Sequence, residues 1–111
     1  MTRLVDKKCS NNPELTPKLT DEESLALLSS IDGRWVLDLA AQTINRKFKF
    51  KNYYQTMAFA NSVAWIAQQN DHHPDMVITY QHCELRFTTH SAGGLSINDF
   101  ICAARIDALL A

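Results

Sequence analysis

Residues 75–90 read DMVITYQHCELRFTTH, and the way this stretch folds decides the architecture around it. Apolar residues alternate with polar ones on both sides of Gln81-His82: Met76, Ile78 and Tyr80 before, Cys83, Leu85 and Phe87 after. Successive strand residues point to opposite faces, so this period-2 pattern describes two half-buried strands rather than a helix. Folded as a hairpin about Gln81-His82, the stretch places Tyr80 opposite Cys83, Ile78 opposite Leu85 and Met76 opposite Phe87. Asp75, Thr79, Glu84, Arg86 and Thr88 then share the other face. Extending the same pairing past Asp75–Thr88 puts His73 opposite His90.

Working outward, residues 34–51 (RWVLDLAAQTINRKFKFK) repeat the alternation in two blocks. A turn near Ala41-Gln42 places Leu39 opposite Ile44 and Trp35 opposite Phe48, with Arg46 alone breaking the apolar face. Three segments instead have helical spacing. In residues 19–31 (LTDEESLALLSSI), Thr20 and Glu23 form a capping box, Leu25, Leu28 and Ile31 form a stripe, and Gly33 ends the segment. Residues 52–70 (NYYQTMAFANSVAWIAQQN) open on Asn52 and Gln55 and carry three apolar ridges: Tyr53, Met57, Ala60, Ala64 and Ala67; Phe59, Val63 and Ile66; and Tyr54, Ala58 and Trp65. Residues 95–110 (LSINDFICAARIDALL) are capped by Ser96 with Asp99 at N3, and Leu95 and Phe100 suit a hydrophobic staple. The order α-β-β-α-β-β-α predicts an α+β domain: a four-stranded antiparallel sheet with three helices packed on one face. Residues 1–18, with Pro13, Pro17 and a Ser-Asn-Asn cluster, read as a flexible N-terminal arm, and 19–111 as the single domain.

The composition excludes several classes. Of 111 residues, 46% are hydrophobic and 21% charged, a globular rather than a disordered profile. A net charge of −1 and the lack of a long basic run argue against direct nucleic-acid binding. Cys9, Cys83 and Cys102 match no metal-knuckle spacing and read as reduced structural thiols. No apolar stretch reaches membrane-spanning length and the first residues lack an apolar signal core, so a cytoplasmic protein is expected.

Residues 70–76 (NDHHPDM) set two of the four histidines side by side against a proline. With His73 near His90, three histidines gather at one end of the sheet, close to Asp71, Thr89 and the Ser91-Ala92-Gly93-Gly94 loop. Imidazole is the side chain best matched to proton transfer near neutral pH.

These residues resemble a known family, the pterin-4a-carbinolamine dehydratases. The resemblance rests on His72-His73-Pro74, Tyr80 six positions later, His90 ten further on and Asp99 nine beyond that. FKFKNY precedes the long helix, TTH ends the last strand and GLSINDF opens the last helix. It runs from about Leu19 to Leu110. One departure is Gln68, at a position four before the first histidine where the family commonly has an acidic or otherwise ionisable residue. The resemblance implies dehydration of 4a-hydroxytetrahydropterin to the quinonoid dihydropterin, which recycles the cofactor spent by aromatic amino acid hydroxylases. It implies His72 and His90 as the proton-transfer residues and His73 as the residue that holds the pterin. Asp71, Pro74, Thr89, Ser91 and Asp99 are then candidates for substrate contact, and neither a metal nor a redox cofactor is required.

Two other readings stay open. Three histidines can also hold zinc. Animal members of the family bind and stabilise the dimer of a homeodomain transcription factor, so a non-catalytic protein-binding role belongs to the resemblance as well. The three-ridged helix carries more apolar surface than one side of a small sheet can cover. A homodimer or homotetramer held partly by residues from Phe59 to Ile66 is therefore expected.

Overall fold

The computed structural model describes residues 3–111. Three helices are present, α1 (Asp21–Leu28), α2 (Tyr53–Asn70) and α3 (Ile97–Leu109), and four strands, β1 (Val36–Asp38), β2 (Thr43–Lys49), β3 (Asp75–Ile78) and β4 (His82–Phe87). The strands form one antiparallel sheet in the order β1-β2-β4-β3, and the element order is the expected α-β-β-α-β-β-α. Ile44 and Phe48 from β2, Cys83, Leu85 and Phe87 from β4, Phe59 and Val63 from α2, and Phe100, Ile101 and Ile106 from α3 share one buried cluster. The opposite sheet face is open, with Val36 and Val77 more than half exposed and Lys47, Lys49 and Arg86 in solvent. All three helices therefore lie on one side.

Both hairpins differ from the expected register by two residues. Leu37, not Leu39, pairs with Ile44, because the connection is the four-residue loop 39–42, with Gln42 at φ 56°. In the second hairpin Met76 pairs with Leu85 and Ile78 with Cys83, and Thr79 bonds to His82 across Tyr80-Gln81. A slip of two keeps every side chain on its own face, so alternation cannot detect it. Tyr80, expected in the sheet core opposite Cys83, instead sits at the turn, 66% exposed and stacked on Tyr53. His73 is likewise not opposite His90, since pairing begins only at Asp75, whose partner is Arg86.

The capping signals are realised in side-chain geometry. Thr20 and Glu23 form a reciprocal capping box, as do Ser96 and Asp99, and Asn52 accepts from the backbone of Gln55. The α1 stripe differs from expectation. The helix stops at Leu28, with Leu27, Leu28 and the following Ile31 on the core and Leu25 in solvent.

Arg46 does occupy the core face. Its guanidinium lies 4.2 Å from the Phe48 ring centroid and 2.7 Å from Asp107 Oδ1, which also accepts from Trp35 Nε1 at 2.8 Å. A buried charge is tolerated only when paired and hydrogen-bonded, and α3 supplies that partner.

Residues 3–18, read from the sequence as a flexible arm, make specific contacts with α3; residues 1 and 2 of that arm lie outside the described residues. Leu4 is buried, the Arg105 guanidinium donates to the Lys7 carbonyl, and Asn98 and Ser10 exchange two hydrogen bonds of 2.9 and 3.1 Å.

Candidate active site

The antiparallel pairing of β3 with β4 brings the start of one strand beside the end of the other. His72 and His73 immediately precede β3, and His90 follows β4, so all three histidines belong to the same end of the sheet. The β1–β2 loop and the N-terminus of α3 reach it too. Thr88 Oγ1 donates to the Gln42 carbonyl at 2.7 Å, and the Gln42 side chain accepts from Leu95 N at 3.2 Å.

The approach to His72 is set by the end of α2. Asp71 takes the left-handed conformation (φ 48°, ψ 43°), and its N–H and that of His72 bond back to the last turn. Asp and Asn adopt this conformation more readily than most side chains, which suits Asp71 to the reversal. The chain then turns directly into His72-His73-Pro74.

His72 Nε2 lies 2.6 Å from Asp99 Oδ1. Asp99 is fully buried, and its second oxygen accepts from Thr89 Oγ1 at 2.8 Å and Ser96 N at 2.9 Å. Ser96 Oγ, 2.7 Å from Thr89 Oγ1, also accepts from Asn98 N. A hydroxyl has one proton to give. Since Thr89 gives its proton to Asp99, the Ser96 hydroxyl donates to Thr89, and the chain of bonds runs Ser96 to Thr89 to Asp99. A carboxylate can only accept, so His72 holds a proton on Nε2, and Nδ1 is the nitrogen with no partner among the described residues. The ring stacks on Phe87, with centroids 5.8 Å apart and planes 14° apart.

Burial opposes a charge on His72. The hydrogen bond and negative charge of Asp99 outweigh it, with smaller help from Cys9 and Asp71, and the imidazole's pKa is raised above the ordinary histidine value. His73 is exposed, with Nε2 3.3 Å from Gln68 Oε1. The residue at the departing position thus touches the second histidine of the pair.

His90 is exposed in a short 3-10 turn, His90–Ala92, closed by reciprocal backbone bonds between Thr89 and Gly94. Gly93 takes the left-handed turn of this loop, and Gly94 after it faces the ends of two flexible side chains. Gly93 has φ 76°, and a Cβ on Gly94 would come within 2.5 Å of Gln42 Oε1 and 2.8 Å of Lys18 Cε.

Among the other sequence-predicted residues, Thr89 is buried inside the hydrogen-bond chain and Ser91 is exposed beside His90. Pro74 is half-buried, and the Asp71 carboxylate accepts from Asn11 Nδ2 at 2.9 Å. Gln42 and Ser96 escaped notice as site residues, and Gln68 was singled out only as a departure from the family's usual ionisable residue. For Ser96 the available signal was the unused oxygen of Asp99, because a capping box occupies only one of its two. Among the described residues, no three His, Cys, Asp or Glu side chains converge as a metal ion would need.

The pterin 4 alpha carbinolamine dehydratase family model matches residues 17–109. The chain belongs to that family. A dehydratase relative from Nitrosomonas eutropha, whose name is provisional, is 52% identical over 107 residues, which is 96% of this chain and 93% of that one. A relative from Legionella pneumophila with the same provisional dehydratase name is 43% identical, covering 96% and 95%. Among solved structures, a transcriptional coactivator/pterin dehydratase from Brucella melitensis superposes with a TM-score of 0.79 at 29% identity, over 85% of this chain and 99% of that one. A dehydratase-like protein described as a RuBisCO assembly factor shares the fold at 24% identity, with a TM-score of 0.58 over 68% and 87%. The carbinolamine dehydratase fold thus occurs in proteins described by quite different roles. No helix among the described residues is long and apolar enough to cross a membrane.

Proposed function

We propose that this protein dehydrates 4a-hydroxytetrahydropterin to the quinonoid dihydropterin, returning to use the tetrahydropterin spent by aromatic amino acid hydroxylases. The observation that supports this reading best is the His72–Asp99 pair, held by Thr89 and Ser96 at the sheet end where His73 and His90 also lie. Hydroxide is a poor leaving group. An acid must protonate the departing oxygen at C4a while a base removes the N5 proton, and imidazole serves in either role near neutral pH.

In this reading the roles divide by environment. His72, whose proton is held more tightly by Asp99, acts as histidinium and delivers a proton from Nδ1 to the leaving oxygen. His90, solvent-facing on its loop, takes the N5 proton. His73, steadied by Gln68, holds the pterin. Thr89 and Asp99 are buried with their oxygens committed, so they position His72 rather than touch the pterin. Ser91, Pro74 and Asp71 remain available at the rim. The reaction as written needs no metal or redox cofactor.

The working form is a homodimer or homotetramer. Phe59 and Val63, expected at its interface, are buried in the subunit's own core. The third ridge of α2 is what stays outside: Tyr54 is 81% and Trp65 67% exposed, with Ala58 between them also in solvent. An aromatic stripe of this kind usually marks an interface, and a second copy is its proposed occupant.

A dehydratase assay on the purified protein, following quinonoid dihydropterin formation, tests the reading. Turnover well above the uncatalysed rate is expected. Turnover no faster than buffer would leave a binding-only role as the better account.

A further inference from the structure

The three cysteines are not equivalent. Cys83 is fully buried in the sheet core, but Cys9 and Cys102 face each other from the arm and α3 with their sulfurs 3.5 Å apart. A disulfide needs about 2.05 Å between sulfurs, a closure within reach of side-chain rotation and a small shift of the arm. Cys9 is only half-buried, whereas Cys102 is fully buried. An oxidant in solvent therefore reaches Cys9 first.

The pair sits directly behind the acid-base dyad. Cys102 lies one turn beyond Asp99 on α3, with its sulfur 4.0 Å from the His72 carbonyl oxygen. Cys9 N–H donates to Asn70 Oδ1 at the end of α2, and neighbouring Ser10 is bonded to Asn98 at the start of α3. The arm thus bridges the two helix ends that carry His72 and Asp99. Cys9 also lies outside residues 17–109, the part matched by the family model, whereas Cys102 lies within it.

We propose that Cys9 and Cys102 form a hydroperoxide-reactive dithiol whose oxidation closes a disulfide, pinning the arm to α3 behind the His72–Asp99 pair. The surroundings divide the roles. Either thiol can donate across the 3.5 Å contact. When Cys102 donates and Cys9 accepts, that bond and the positive charges of His72 and Arg105 outweigh burial and the charge of Asp99 and lower the Cys9 pKa. The same donated bond, together with burial, pushes the Cys102 thiol far up. Cys9 is the thiolate-forming, attacking sulfur and Cys102 the resolving one.

In the first step the Cys9 thiolate attacks a hydroperoxide oxygen. An S–O bond forms, the O–O bond breaks, and the other oxygen leaves as an alcohol, or as water when the oxidant is hydrogen peroxide, taking up one proton. In the second, Cys102 sulfur attacks the Cys9 sulfenic acid. The S–S bond forms, the S–O bond breaks, and the hydroxyl leaves with the Cys102 proton as water. Two thiols have then lost two electrons and two protons, and the peroxide has gained them.

The test uses reduced full-length protein treated with a small excess of hydrogen peroxide, followed by intact mass measurement, alkylation in denaturant and peptide mapping. The expected result is a mass loss of two hydrogen atoms, reversed by a thiol reductant, with Cys9 and Cys102 peptides linked and Cys83 still alkylated. Cys83→Ser should behave like the unmodified chain. Cys9→Ser should lose the reaction while Cys102 stays alkylatable, and Cys102→Ser should accumulate a Cys9 sulfenic acid trapped by a dione probe. Three alkylatable cysteines after treatment, or a bond that uses Cys83 or a second copy, would overturn the proposal. None of these readouts depends on pterin turnover.

Discussion

His72 and Asp99 are 27 residues apart in the chain and 2.6 Å apart in space. One residue follows the left-handed end of α2 and the other lies in the first turn of α3, so a single hydrogen bond ties together two helix ends. The bond sets the tautomer of His72 and raises its affinity for a proton. Replacing Asp99 with Asn removes the charge but keeps the shape. Asp99→Asn is expected to lower kcat/KM by about 10²-fold or more and to move the alkaline limb of the pH profile to lower pH. A pH–rate profile whose limb stays in place would remove His72 from the role of acid.

The histidines should separate activity from stability. His90 is exposed and makes no side-chain hydrogen bond among the described residues, so His90→Ala should change stability by no more than about 0.5 kcal/mol while lowering kcat/KM by about 10²–10⁴-fold. His72→Ala should lose a similar factor in activity. It should also cost about 1–3 kcal/mol, because Asp99 Oδ1 is left buried without its partner. Denaturant titration beside steady-state kinetics checks both, and wild-type turnover in either variant would exclude that residue.

How far the sequence could be read depended on which physical signal each feature left. Faces were legible because alternation reports them, whereas register was not, since a two-residue slip in either hairpin preserves every face. The loop lengths that decide register, residues 39–42 and Tyr80-Gln81, carry no Asn-Gly signature. Arg46 was visible as an exception, but Asp107, the partner that explains it, is 61 residues away. The placement of the three histidines at one end of the sheet was legible because it depends on which strand ends meet, a property of topology that the slip leaves intact, but the pairing of His73 with His90 was lost with the register. The inner side of the site was hidden, since Ser96 and Asp99 already had a sufficient reason to be there as helix caps.

Stability should depend on pH through His72. Its pKa is higher in the folded chain than the ordinary histidine value of 6.5. The protonated ring therefore favours the fold, fully below the unfolded pKa and progressively less as pH rises through the folded value. Thermal melts of the wild type and His72→Gln across this range should show a Tm difference that shrinks with rising pH. A difference independent of pH would contradict the raised pKa.

Proton transfer alone should suffice for turnover. Exhaustive chelation is expected to leave kcat unchanged, with no stoichiometric zinc found by elemental analysis. Activity lost on chelation and restored by zinc would favour a histidine metal site instead.

The exposed stripe on α2 predicts assembly. Trp65→Glu or Tyr54→Glu places a charge in it without touching the subunit core, and should shift the protein toward monomer with its helical content intact. Light scattering at micromolar concentration measures this. A stable monomer for the unmodified chain would refute the interface.

Ser96 serves α3 and His72 with the same oxygen atom. As a cap alone, the position would tolerate Asp or Asn, which hold helix N-termini as well as Ser does. An Asp carboxylate cannot donate, however, and would point its charge at Thr89 and Asp99. An Asn carbonyl that accepts from Asn98 N has no proton to hand on, and its amide nitrogen needs room that the fully buried Ser96 side chain does not occupy. Substitutions neutral for the helix are thus not neutral for the histidine. Turnover is therefore expected to restrict residue 96 to Ser or Thr, and a library scored for folding alone should return a wider alphabet there than one scored for turnover.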